Sequence, residues 1–200
     1  MNNNIVGKWV MDPTKSNVTF SVRHLVSKVH GSFGEFKGSA DVLENISDST
    51  VIGVVDVTTI TTDNEDRDAH LRSPEFFDVD RYPTITFKTH RWNVSEASEE
   101  ITLEGELTIR EVVRPVTFVG KFGSVQVDEV TGRTRADLKL SAEINRTDWG
   151  LSWSSSLDKG GLVLGEEVTI VVDAQAVLTD PEPEVRDSPT EPEEEFSVFI

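Results

Sequence analysis

Residues 61–87, TTDNEDRDAHLRSPEFFDVDRYPTITF, interrupt a chain that otherwise alternates apolar and polar residues with a period of two, and they hold its one clear helical segment. Thr62 or Asp63 can cap the first free amides. Asp63, Glu65 and Asp66 sit at the positive end of the helix dipole, and Pro74 follows the last turn, so the signals predict a short helix over residues 64–72. Arg67, His70 and Leu71 are three and four apart and share a face, with Asp68 directed to one side. Phe76, Phe77, Tyr82 and Pro83 then lead into a strand at residues 84–89, which puts an aromatic cluster between helix and sheet. The arrangement is that of a lid over a barrel.

On either side of the lid the period of two dominates. In residues 17–24, Val18, Phe20 and Val22 oppose Thr19, Ser21 and Arg23, which buries one face and points Phe20 inward. In residues 28–42, Gly34 and Gly38 break the alternation, as happens where a strand bulges or bends. Residues 50–61 are apolar in both registers, Ile52, Val54 and Ile60 against Val51, Val55 and Val57, so both faces of this strand are expected to be covered. Ile101, Leu103, Leu107 and Ile109 form the cleanest amphipathic row, followed across a connection at residues 111–114 by Val116, Phe118 and Phe122. Ala136, Leu138, Leu140, Ala142 and Ile144 make the next row, a Ser- and Trp-rich loop spans residues 146–161, and residues 168–178 are the last strand. About eight strands, each with one apolar row, predict an all-β, eight-stranded antiparallel barrel with one short helix over its mouth. Eight strands leave an interior wide enough for side chains or one slender ligand.

Two hundred residues suffice for one domain. It is expected over residues 1–179, because residues 180–200, DPEPEVRDSPTEPEEEFSVFI, are too rich in proline and acid to form a core and read as a disordered tail. The tip of that tail, Phe196, Val198, Phe199 and Ile200, has two readings: docking into an apolar groove on this molecule or another, or a solvated end with incidental phenylalanines. The formal charge is −17, of which the tail carries −7, leaving −10 for the rest. Such a charge opposes binding to nucleic acid or to anionic lipid headgroups. No apolar run reaches membrane-spanning length, and the opening MNNNIVGKWV does not read as a secretory signal. The chain is therefore expected in the cytoplasm, with at most transient membrane contact.

The residues carry no signature of catalysis. His24, His30, His70 and His90 show no metal spacing, there is no cysteine, and no nucleophile elbow, phosphate loop or dinucleotide fingerprint occurs. No metal, no cofactor and no enzymatic activity are expected. Arg146 and Asp148 are expected to pair and fix a loop, with Trp149 and Trp153 as packing residues. The inward set Phe20, Phe33, Phe36, Phe87, Leu107, Phe118 and Leu140 has two readings, a solid core or the lining of a pocket, which look identical in sequence.

Arg67-Asp68-Ala69-His70-Leu71, Phe76-Phe77-Asp78 and Tyr82-Pro83-Thr84-Ile85-Thr86-Phe87 together resemble the signature of the YceI-like, polyisoprenoid-binding family. Asp12, Ser16 and Phe20, with Gly31-Ser32-Phe33, Phe36 and Gly38, resemble its opening pattern. Gly105-Glu106-Leu107-Thr108-Ile109-Arg110 with Arg114-Pro115-Val116-Thr117 is similar to its middle pattern, and Arg146-Thr147-Asp148-Trp149-Gly150 with Gly165 and Val168 to its closing one. Lys15 stands where the family often has a histidine. The resemblance implies a lipocalin-like barrel, a homodimer, and an elongated cavity for a polyprenyl phosphate or the tail of an isoprenoid quinone. On that implication the inward set lines the cavity, and Arg67, Asp68 and His70 either recognise a headgroup or pin the lid to the rim. The expected function is a soluble, non-catalytic carrier of an isoprenoid lipid. The competing expectation is a stress-response or interaction module whose barrel is filled and whose C-terminal tip docks a protein.

Overall fold

The computed structural model describes residues 5–24, 27–95, 100–153 and 164–179. These form nine strands and one α-helix: β1 Gly7–Met11, β2 Asn17–His24, β3 Ser27–Val42, β4 Thr50–Thr61, α1 Glu65–Arg72, β5 Thr84–Val94, β6 Glu100–Ile109, β7 Val112–Val127, β8 Thr134–Asn145 and β9 Leu164–Thr179. The strand order is β1-β3-β2-β9-β8-β7-β6-β5-β4, and pairing of β3 with β4 closes the sheet into an antiparallel barrel. Residues 180–200, expected as a tail, lie outside the described residues, as does the 154–161 part of the Ser- and Trp-rich loop.

Nine strands make eight staves because β1 and β2 lie end to end in one of them. β1 pairs with residues 39–42 of β3 and 176–179 of β9, while β2 pairs with residues 27–33 and 164–173 of the same two strands. The gap between them is a short turn, Pro13–Lys15, whose backbone groups leave the ladder and need other partners. Side chains supply them. The Asp12 carboxylate accepts from the Thr14 N–H at 3.0 Å, and the Ser16 hydroxyl donates to Asp12 O at 2.7 Å and accepts from the Gln175 N–H at 3.0 Å. Arg135 braces the same corner from β8, on the far side of β9, donating to Asp12 Oδ2 at 3.1 Å. The sequence reading starts the first strand at residue 17 and misses β1. In the five residues GKWVM the buried Trp9 alternates with Val10, itself apolar and exposed, so no period of two stands out.

Two further departures are local. Residues 111–114 were expected as a connection, but Val112, Val113 and Arg114 are already paired with Ile109, Thr108 and Leu107. The hairpin turns on Arg110 and Glu111 alone, with Arg110 in the left-handed region at φ 56, a conformation its residue type does not announce. In β3 the irregularity expected at Gly34 is present as a register shift between Phe33 and Glu35, where Thr59 Oγ1 accepts both the Gly34 and Glu35 N–H groups at 3.0 Å. Gly38 makes no bulge; its missing side chain leaves room for Met11.

The two ends of the barrel differ. Trp9, Val42, Trp92 and Ile101, all buried, share the end where β1 and β6 begin. Trp92 stacks on Phe122 with ring centroids 6.1 Å apart, and Trp9 Nε1 donates to Ile5 O at 2.8 Å. That end is packed. The other end carries α1, the β2–β3 and β6–β7 hairpins and the crossing from β8 to β9, and there the inner rows do not meet.

Candidate functional site

The inner rows enclose a cavity of about 520 Å³. All seven residues assigned inward from the sequence, Phe20, Phe33, Phe36, Phe87, Leu107, Phe118 and Leu140, lie on its wall. Phe20 leans on Phe33 at 5.5 Å between ring centroids, and Phe87 meets Phe118 edge to face at 4.8 Å, so the aromatic part of the wall is braced by its own contacts. The void arises partly from glycine at inward positions. At Gly31 and Gly105 the rings of Phe20 and Phe87 occupy the space a side chain would need, whereas at Gly53 no atom lies within 4 Å of where a Cβ would sit.

Wall residues that the sequence reading did not name include Ile85, Ile170 and Val172. Register identifies them: Ile170 and Val172 sit opposite Phe20 and Val18, and Ile85 opposite Val55. The alternation of each strand held that signal, but only pairing says which neighbours share a face.

Polar groups gather at the mouth, where Thr62, Asp66, Arg67, His70 and Arg146 join the lining. The first four belong to α1 and its approach. Asn64 caps the helix, its side chain accepting from the Arg67 N–H at 2.9 Å, in place of the expected Thr62 or Asp63. Asp63 is the corner itself, at φ 59, and Thr62 is engaged elsewhere. Arg67, His70 and Leu71 share the cavity-facing side of α1. Leu71, Phe76 and Phe77 continue the apolar lining beneath the helix, with Phe76 and Phe77 in edge contact at 5.3 Å.

Asp68, set to one side of the face that Arg67 and His70 share, does not line the cavity. It is buried against the end of β4, where it accepts from the Thr62 N–H at 2.8 Å, from the Thr62 hydroxyl, and from the Thr61 hydroxyl at 3.1 Å. Arg67 closes the same loop, Nε donating to Thr62 Oγ1 at 2.7 Å and Nη2 to Thr62 O at 2.8 Å. Arg72 adds a bond to Ile60 O at 3.1 Å. Asp68 therefore pins the lid. Spacing along the helix could not reveal this, because its partners are on the strand before it.

Burial pushes the Asp68 carboxyl pKa up, but the hydrogen bonds from Thr62 and Thr61 and the charge of Arg72 outweigh it, and the net direction is down from 3.8. A folded-state pKa below the unfolded one gives stability that is full above the unfolded value of about 3.9 and is lost as pH falls through the lower folded value. Asp68→Ala should cost about 2 kcal/mol at neutral pH by leaving the Thr62 amide without its acceptor. Urea titrations of the two chains should show the gap closing only in the acid range below about pH 4. A gap that closes near neutrality would contradict the assignment.

His70 lies at the lip, Nε2 at 3.1 Å from Glu75 Oε2 and its ring edge-on to Trp153 at 4.5 Å. Trp153, expected as a packing residue, is 40% exposed and lines the mouth; Trp149 is the packed one, with Nε1 donating to Leu107 O at 3.1 Å. Arg146 does not pair with Asp148. A 3-10 turn, Arg146–Trp149, ending at Gly150 with φ 73, sends Arg146 inward while Asp148 stays exposed. The buried Arg146 guanidinium donates instead to four backbone carbonyls: Gly165 O at 2.8 Å, Trp153 O at 3.0 Å, Leu164 O at 3.3 Å and Leu151 O. Burial pushes its pKa down from the usual guanidinium value, partly countered by Glu166. Arg146 thus ties the start of β9 to the loop that presents Trp153. Among the described residues no group of three or more His, Cys, Asp or Glu side chains is placed to hold a metal ion.

The fold has counterparts. The YceI-like domain model matches residues 9–176. A UPF0312 protein of Staphylococcus aureus is 29% identical over 174 residues, covering 86% of this chain and 98% of the relative. Among solved structures, BcnA of Burkholderia cenocepacia superposes with a TM-score of 0.71 at 16% identity, covering 82% of this chain and 98% of its own. The Campylobacter jejuni YCEI protein gives a TM-score of 0.66 at 22% identity, covering 79% and 90%. A polyisoprenoid binding domain from Saccharophagus degradans gives 0.59 at 13% identity, covering 86% and 98%.

Proposed function

Since the chain belongs to the YceI-like domain family, we propose that it is a non-catalytic carrier of an isoprenoid lipid, with the tail inside the barrel and the head at the mouth. The observation that carries this is the cavity: a largely hydrocarbon wall, with Thr62, Asp66, Arg67, His70 and Arg146 gathered at one end beside a pinned helix. About 150 Å³ holds one benzene ring, so the volume of about 520 Å³ accommodates roughly twenty carbons, or about four isoprene units, by the same measure. Burying each methylene contributes about 0.8 kcal/mol before ordering costs, so the tail supplies the affinity. A guanidinium donates hydrogen bonds and accepts none. Arg67 at the mouth, whose bonds to Thr62 use Nε and Nη2, accordingly favours a head that presents acceptor oxygens, a quinone carbonyl or a polyprenyl phosphate. The rival reading of a filled barrel needs inner rows that interlock throughout; they do so around Trp9 and Trp92 and not beneath α1.

Organic extraction of the chain purified from its native host, with native mass spectrometry of the same sample, tests the proposal. The expected result is an adduct whose mass fits an isoprenoid with a quinone or phosphate head. A chain that emerges bare, and stays bare after incubation with both lipid classes in mild detergent, would overturn it.

A further inference from the structure

The outer wall formed by β9, β1, β3, β4 and β5 is unlike the rest of this acidic chain. In register, Val177, Val10, Ser39, Ile52 and Lys88 make one outward row across the five strands. Val10 is 48% and Ile52 43% exposed. Lys8 and Lys37 flank that row on its two sides, so Lys8, Lys37 and Lys88, all exposed, surround an apolar strip; Asp41 is paired with Lys8 and Glu106 with Lys88, while Lys37 is paired with Val54. The apolar second register of β4, expected to be covered, is thus left open at Ile52 by the described residues. A groove of about 490 Å³ runs along the strip, and Thr179, the last residue of β9, is part of its wall. Residues 180–200 therefore leave the barrel at the edge of this groove.

We propose that the strip is the docking site of the chain's own C-terminal segment, with the apolar residues of FSVFI at 196–200 laid on Val10 and Ile52 and the glutamates at 193–195 beside the lysines. Reach permits it. Sixteen residues separate Thr179 from Phe196, and a coil of that length spans about 20–25 Å on average. The tip is then held near the strip at an effective concentration on the order of millimolar, so even weak contacts are populated. Charge directs it. The segment carries −7 and the remainder of the chain −10, so most of the surface repels the segment, while the three lysines attract it. The closed sheet also decides the mode: at the strip β9, β1, β3, β4 and β5 are each paired on both sides, so among the described residues no strand edge is free there, and the segment attaches through side chains on a face and not as an added strand. Covering Val10 and Ile52 removes the one apolar row this wall leaves to solvent. The inference does not depend on what fills the barrel.

The chain has no cysteine, so Ser197→Cys places a single nitroxide label at the tip of the full-length protein. With nitrogen-15 in the same labelled chain, the expected result is loss of the amide signals of residues 8–10 and 50–54, with those of residues 110–116, at the mouth end across the barrel, retained. Ile52→Asp in the labelled chain should restore the lost signals while leaving the remaining spectrum in place. Three outcomes would overturn the proposal. One is loss of signals at Arg67 and His70 instead, which would put the tip in the mouth. Another is loss only in unlabelled nitrogen-15 chains mixed with labelled ones, which would make the occupant a second copy. The third is no localised loss at all.

Discussion

Gly53→Phe will fill part of the cavity without unfolding the barrel. No atom lies within 4 Å of a Cβ built at Gly53, and the residue pairs with Gly38 and Phe87 in the inward rows, so a larger side chain there extends into the cavity. A phenylalanine ring takes the space of about six or seven tail carbons. At about 0.8 kcal/mol per methylene, and allowing half to be recovered by rearrangement, affinity for an isoprenoid lipid falls about 100-fold. Stability should hold or rise slightly, because replacing a strand glycine reduces the freedom of the unfolded chain. Gly105→Ala is the control with the opposite signature. There a Cβ would lie 2.4 Å from Lys88 O and 2.8 Å from the Phe87 ring, so one methyl group should destabilise the fold by about 1–3 kcal/mol. Lipid competition assays and thermal melts of both variants check the pair. A Gly53→Phe chain that binds lipid like its parent would show that the tail does not run past β4.

Arg146→Met should lower Tm by roughly 6–12 °C. Methionine matches the length of the side chain but offers no donors, and the carbonyls of Leu151, Trp153, Leu164 and Gly165 lose their partner together. Each buried acceptor left unmatched costs about 1–3 kcal/mol, while relief from burying a guanidinium returns part of it, giving a net loss of about 3 kcal/mol. Arg146→Lys should not rescue the melt, since one ammonium cannot serve carbonyls arranged around a planar fork. Asp148→Ala should leave the melt unchanged, because Asp148 is exposed and is not the partner of Arg146. A large effect of Asp148→Ala would return the loop to the ion pair expected from spacing.

What the residues declare on their own is whatever depends on near neighbours along the chain. Side chains in a strand alternate faces by covalent geometry, so Val18 and Phe20, or Leu103 and Leu107, announce their strands and their inward side without a partner in view. The helix is legible for the same reason: a cap, first-turn acids and the following proline all lie within a few residues of it. Asn64 in place of Thr62 or Asp63 as the cap is an error of one or two residues inside that local signal.

Pairing decided the rest. Whether the inward rows meet depends on which ring faces which glycine across strands: Phe20 fills the space at Gly31, Phe87 that at Gly105, and nothing fills that at Gly53. β1 becomes a strand because β3 and β9 flank it, its own five residues offering only Lys8 as polar contrast to Trp9, Val10 and Met11. Asp68 and Arg146 took their roles from backbone groups at the end of β4 and the start of β9, which no spacing within a helix or loop can specify. Alternation alone determined a barrel with an apolar inside. Only the register, by bringing bare glycine opposite open space, made that inside hollow.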